Sequence, residues 1–176
     1  MLILGVDPGI ATVGFGVIEK VGVRTRYVNC GIISTPAGER TEKRLLDVFN
    51  NTCELIERYR PQVMAIEELF FSNNQKTAVN VCQARGVILA AAEKYSVTVR
   101  EYTPLQVKVA VAGYGKAEKR QIMEMTRMIL KLPGVPRPDD AADALALAIT
   151  HASVGESKLT KLQNANLDPS RKTAGR

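Results

Sequence analysis

The chain opens with the continuous apolar run Leu2-Ile3-Leu4-Gly5-Val6, closed by Asp7 and by the turn signal Pro8-Gly9. In Thr12–Glu19, Val13, Phe15 and Val17 alternate with small Gly14 and Gly16. Val23–Thr35 is β-branched and polar by turns until Pro36 and Gly38 break it. This pattern predicts a meander of three antiparallel strands. The period then changes. Across Arg40–Arg60, Leu45, Val48, Phe49, Thr52, Ile56 and Tyr59 recur at helical spacing with charges opposite, and Pro61 ends the run.

Gln62–Glu67 reads as a short buried strand, Asn74–Lys94 as an Ala-rich helix and Val97–Tyr102 as a fifth strand. Pro104–Val111 and Ala117–Lys131 follow as helices, then a loop carrying Pro133, Gly134, Pro136 and Pro138, then a helix over Asp140–His151 that is apolar nearly all round. Strands that begin to alternate with helices predict an α/β sheet, in which a right-handed crossover lays the fourth strand parallel to the first. Asp7 and Glu67 then end at the same edge of the sheet, where open α/β sheets keep their sites.

Past Gly155 the hydrophobic period is gone. Residues 1–154 are expected to form one domain and residues 155–176 a mobile basic tail, in which Lys158, Lys161, Arg171, Lys172 and Arg176 face only Glu156 and Asp168. With 24 Lys and Arg against 18 Asp and Glu, the net charge of +6 points to a polyanionic partner, of which nucleic acid is the commonest. The 3 cysteines stand far apart and there is 1 histidine, which argues against zinc and for a reducing cytoplasm. No run approaches the roughly 18 apolar residues of a membrane span, so a soluble, cytoplasmic protein is expected.

Against this basic background, four acids sit in the most apolar segments. Asp7 ends the first strand, Glu67 ends Val63-Met64-Ala65-Ile66, and Asp140 and Asp143 flank Ala141-Ala142 at the head of the last helix. Each has a plain reading alone: Asp7 as a turn residue, Glu67 as an exposed strand end, Asp139 or Asp140 as a helix N-cap. Asp143, inside a buried helix with no base near it in sequence, is harder to account for. A buried carboxylate costs on the order of several kcal/mol unless something positive compensates it. Asp140 and Asp143, three residues apart, share a helix face. If the segments meet, two Mg²⁺ ions, or Mn²⁺ in their place, would neutralise the four charges, since oxygen-only donors select hard cations.

Several segments together carry a resemblance. Gly5-Val6-Asp7-Pro8-Gly9 with Gly14-x-Gly16-Val17, Ala65-Ile66-Glu67-Glu68-x-Phe70, and Gln83-Ala84-Arg85-Gly86-Val87 resemble the RuvC family of Holliday-junction resolvases. So do Gly113-x-Gly115-x-Ala117-x-Lys119-x-Gln121 and Asp140-Ala141-Ala142-Asp143-Ala144-Leu145-Ala146, in order along residues 1 to 152. Cys82 departs from the glycine found in many relatives. The resemblance implies an RNase H-like fold with a mixed five-stranded sheet, three strands antiparallel and two parallel, flanked by helices. It further implies a homodimer, divalent metal, four-way junction DNA as substrate, and branch-migration proteins of the RuvA/RuvB type as partners. Its catalytic acids map onto Asp7, Glu67, Asp140 and Asp143.

Glu68 and Asp139 adjoin two of these acids. Strand alternation allows only one of Glu67 and Glu68 to face the site, and the resemblance chooses Glu67. Lys108, Lys116, Lys119 and Arg120 surround a glycine-containing loop that leads into a helix, an arrangement suited to phosphate. By resemblance Lys108 and Lys119 lie near the scissile phosphate, Lys119 acts in cleavage, and Phe70 stacks on an unpaired base near the crossover. His151 is read as structural. The expected activity is paired, metal-dependent nicking of four-way DNA junctions in recombination and repair. The rivals are an RNase H-like nuclease acting on RNA, a non-catalytic junction binder, and an actin-like nucleotide-binding domain, for whose two lobes the chain is too short.

Overall fold

Alternation along the first strand divides the molecule into two layers. The computed structural model describes residues 1–69 and 75–154. Strand β1 (Leu2–Asp7) pairs antiparallel with β2 (Thr12–Val21), which pairs antiparallel with β3 (Arg24–Ser34). On the other side, β1 pairs parallel with β4 (Val63–Glu67) and β4 with β5 (Thr98–Tyr102), giving the order β3-β2-β1-β4-β5. The mixed five-stranded sheet expected from the sequence is the sheet observed. Element ends differ by one to three residues: the Gln62–Glu67 strand begins at Val63, and the helix expected over Ala117–Lys131 runs Lys119–Ile129. The basic tail, residues 155–176, and Phe70 lie outside the described residues.

Helices α1 (Thr41–Tyr59) and α2 (Gln75–Lys94) cover one face, where Leu4, Val6, Met64 and Ile66 pack with Val48, Ile56, Ile88 and Ala91. Helices α3 (Pro104–Ala112), α4 (Lys119–Ile129) and α5 (Asp139–Val154) cover the other, where Ile3 and Ala65 meet Val111, Ile122, Leu145 and Ile149. Since side chains alternate along a strand, Asp7 points with Ile3 and Glu67 with Ala65, both toward α5.

Helix α5 lies unusually close to the strands. A Cβ at Gly5 would fall 1.9 Å from the carbonyl oxygen of Ala144, one at Gly14 2.1 Å from that of Asp140, and one at Gly16 2.7 Å from the amide nitrogen of Leu145. The glycines that read as strand filler in the sequence are a track on which α5 rests backbone to backbone. Burial of Leu145 and Ile149, worth about 1.5–3 kcal/mol each, holds the helix there. The approach brings the first turns of α5, with Asp140 and Asp143, against the β1 end that carries Asp7.

Candidate active site

Parallel pairing sets the floor of the site. In the β1–β4 register Val6 stands opposite Ile66, so Asp7 and Glu67 leave the sheet side by side. Gly14 is the β2 partner of Asp7, and Asp140 rests on that glycine. Asp7, Glu67 and Asp143 then line one cleft of about 240 Å³ together with Lys108, Lys119 and an apolar wall that includes Val107, Ile122 and Leu147. Asp140 does not line the cleft, although its charge acts on Asp7.

The electrostatics follow from this crowding. Asp7 has its carboxyl pushed up from 3.8 to about 7, first by burial, then by the charges of Glu67, Asp143 and Asp140, with Lys119 pulling the other way. Glu67 is raised by burial and by Asp143, again opposed by Lys119. Lys119 donates from Nζ to Asp143 Oδ2 at 2.8 Å and stands 3.9 Å from Asp139 Oδ2; its own protonation is favoured chiefly by the hydrogen bond to Asp143. Asp143 thus has a base beside it that sequence order concealed, delivered by α4 from 24 residues away.

Among the described residues, no three acid, histidine or cysteine side chains gather into a set ready to hold a metal ion. Asp7, Glu67 and Asp143 nonetheless converge on one cleft, and Asp140 is near enough to act on Asp7. Carboxylates so gathered repel one another, and Lys119 supplies part of the compensating charge. The donor set nevertheless suits a hard divalent cation. It is oxygen only, and the Asp7 carboxyl is raised first by burial and then by three neighbouring acids that Lys119 only partly offsets.

Neighbouring candidates fall elsewhere. Glu68 is exposed, with its backbone N–H bonded to the Tyr102 carbonyl at 2.9 Å. Asp139 pairs with Arg137 at 3.1 Å, and α5 begins at Asp139, so neither it nor Asp140 is the residue before the helix that a cap would be. His151 Nδ1 pairs with the Tyr102 hydroxyl at 2.7 Å. The sequence reading missed the bracing of Lys119. Glu118 opens α4 with a reciprocal cap in which its N–H donates to Gln121 Oε1 at 2.8 Å, and the Tyr114 hydroxyl donates to the same oxygen at 2.9 Å. The spacing Glu118-x-x-Gln121 was the available signal.

Comparison with known proteins decides the family. The family model for "Crossover junction endodeoxyribonuclease RuvC" matches residues 3–151 of the 176. The chain belongs to the RuvC family. Among its RuvC relatives, the crossover junction endodeoxyribonuclease of Brevibacillus brevis is 57% identical over 86% of this chain and 92% of its own length. That of Rubrobacter xylanophilus is 56% identical over 86% and 84%. Among solved structures, Thermus thermophilus RuvC in complex with a Holliday junction substrate superposes with a TM-score of 0.83, at 39% identity, covering 87% of this chain and 93% of that one. The RNase H-like architecture expected from the sequence is thus the family's, and so is endodeoxyribonuclease activity.

Proposed function

We propose that the protein resolves four-way DNA junctions by paired, metal-dependent nicks at the Asp7–Glu67–Asp143 cleft. The carrying observation is the mixed charge of that cleft: acids from two adjacent strand ends and one helix share it with Lys108 and Lys119. Carboxylates alone would repel a phosphodiester, and lysines alone would bind it without cutting. Side by side, they suit a reaction in which phosphate is held while cations are recruited.

Asp7, Glu67, Asp140 and Asp143 would hold two Mg²⁺ ions, with Mn²⁺ as a substitute. Bound there, the ions supply Lewis-acid chemistry, lowering the pKa of water and stabilising the departing 3′ oxygen. Asp7, which feels the charge of Glu67 and of both α5 acids, would hold the ions together with them. Lys119 stabilises charge growing on the phosphate, and Lys108 draws the backbone into the cleft from the α3 side. Phe70, outside the described residues, is assigned to stacking on an unpaired base.

Residues 1–154 carry this activity. A junction has two equivalent strands to cut, so a two-fold dimer matches its symmetry, with apolar positions on the outer side of α2, such as exposed Val79, as the candidate interface. Among the described residues no helix is long and apolar enough to cross a membrane.

The test is a synthetic four-way junction incubated with the protein, with and without Mg²⁺, beside an RNA–DNA hybrid and a structured RNA. Symmetrical nicking of the junction, dependent on Mg²⁺ and absent from the RNA substrates, is expected. Preferential cutting of either RNA substrate would overturn the DNA assignment, and junction binding without cleavage across Mg²⁺ and Mn²⁺ titrations would leave only a binder. Lys119→Ala should lower the single-turnover cleavage rate by roughly 10²–10³-fold, the loss typical of removing one charge-stabilising donor. Its melting temperature should stay close to wild type, because the side chain is largely solvent-exposed. An unchanged rate would remove Lys119 from the chemistry.

A further inference from the structure

Just outside the cleft, Leu105 at 60%, Val109 at 49% and Tyr114 at 46% are exposed apolar side chains within one ten-residue stretch. Isolated exposed apolar groups need no explanation, whereas a cluster beside a functional cleft does. Leu105 and Val109 meet the loop that carries Tyr114. Gly113 closes α3 with a positive φ of 86°, and the loop folds back so that a Cβ at Gly115 would lie 2.4 Å from Leu105 Cδ1 and 3.9 Å from Val109 Cγ2.

Tyr114 is the unusual member. Its hydroxyl is tied to Gln121, the residue that caps the helix bearing Lys119, yet its ring remains open to solvent. A tyrosine kept only for packing would bury its ring. Here the polar end is fixed and the apolar face is presented, and tyrosine has few torsions left to lose on contact. Lys108, Lys116 and Arg120 flank this tyrosine in sequence, and among the described residues none of the three forms an ion pair. An exposed aromatic ring with uncommitted cations near it in the chain suits single-stranded nucleic acid, with a base on the ring and phosphates on the cations.

We propose that Tyr114 is a fixed stacking plate for an unpaired nucleobase of the DNA strand that enters the cleft along α3. The proposal rests on the junction-cutting reading and adds to it a second base contact, reached from the α3–α4 side. An apolar protein segment is a poorer occupant, since it would cover this ring while leaving the neighbouring cations unpaired.

The experiment uses Asp7→Asn protein, which leaves DNA uncut, and a four-way junction with 2-aminopurine at successive positions beside the crossover. Anisotropy gives affinity and 2-aminopurine fluorescence gives stacking. Tyr114→Phe keeps the ring and loses the hydroxyl; Tyr114→Leu keeps apolar bulk and loses the plate. Tyr114→Phe should bind and quench like its parent, while Tyr114→Leu should bind about tenfold more weakly, as expected for one base–aromatic stack, and leave one 2-aminopurine position bright. Both should melt within a few degrees of the parent, because the exposed ring carries little of the core. Unaltered binding and quenching by Tyr114→Leu would overturn the proposal. So would equal losses in both variants, which would assign the effect to the hydroxyl's hold on Gln121. Absence of junction binding by Asp7→Asn protein with Tyr114 intact would overturn this and the junction reading together, whereas binding indifferent to Tyr114 overturns this inference alone.

Discussion

Asp7→Asn is expected to abolish junction cleavage, by at least ~10³-fold as the loss of several kcal/mol of cation-based stabilisation requires, while junction binding survives. The same substitution should make the metal-free protein more stable at neutral pH. In the folded chain the Asp7 carboxyl titrates at about 7 instead of 3.8, chiefly through burial and then through Glu67, Asp143 and Asp140. The folded state therefore holds this proton more tightly than the unfolded chain. Asp7 contributes stability that is fully present below about pH 4 and lost as pH rises through about 7. Glu67, also raised, acts in the same direction. Asparagine carries no such proton. In EDTA, melting temperatures of variant and wild type should nearly coincide at pH 4 and separate in the variant's favour toward pH 8. Mg²⁺ should then restore wild type at pH 8 and leave the variant unmoved. A constant difference across this range, or persistent cutting by the variant, would remove Asp7 from an acid-crowded catalytic centre.

The second large effect concerns the helix track. Gly5→Ala places a methyl group 1.9 Å from the Ala144 carbonyl oxygen and 3.0 Å from the Ala148 amide nitrogen. Both are main-chain atoms of α5, so no side chain can rotate aside. Overpacking typically costs ~1–3 kcal/mol and occasionally more, and obstruction by backbone puts this case at the upper end. For a chain of this size that corresponds to a fall in melting temperature of about 6–12 °C. Cleavage should fall further than the remaining folded fraction accounts for, because the displaced helix carries Asp140 and Asp143. Gly134→Ala is the control, having nothing within 4 Å of the added carbon, and should melt like wild type. A Gly5→Ala protein with unchanged melting and activity would show that α5 is not seated on the sheet at this distance.

Much of this architecture was legible from hydrophobic period alone. β1 and β4 are short unbroken apolar runs, each ending in an acid, and a right-handed crossover leaves them little choice but parallel neighbourhood. Alternation separated Glu67 from Glu68, and the fold agrees: Glu67 shares the face of Ala65 while Glu68 is exposed. What stayed hidden depends on distances between remote residues. The pairing of Lys119 with Asp143 comes from packing α4 against α5, for which sequence spacing carries no mark. Gly5, Gly14 and Gly16 looked like ordinary strand glycines because the constraint on them is the nearness of another backbone. The helix boundary at Asp139 was misplaced by one residue, enough to make Asp140 look like a cap when it lies within the first turn.

Contact between main chains on one side of the sheet and between branched side chains on the other has an evolutionary corollary. Separations set by main chain against main chain leave Gly5, Gly14 and Gly16 no room for a side chain, whereas the α1–α2 layer, filled by Val48, Ile56 and Ile88, can be repacked in many ways. Sequence drift should collect in that rear layer and alter how much heat the protein withstands, while the alignment of its charged front is inherited almost unchanged.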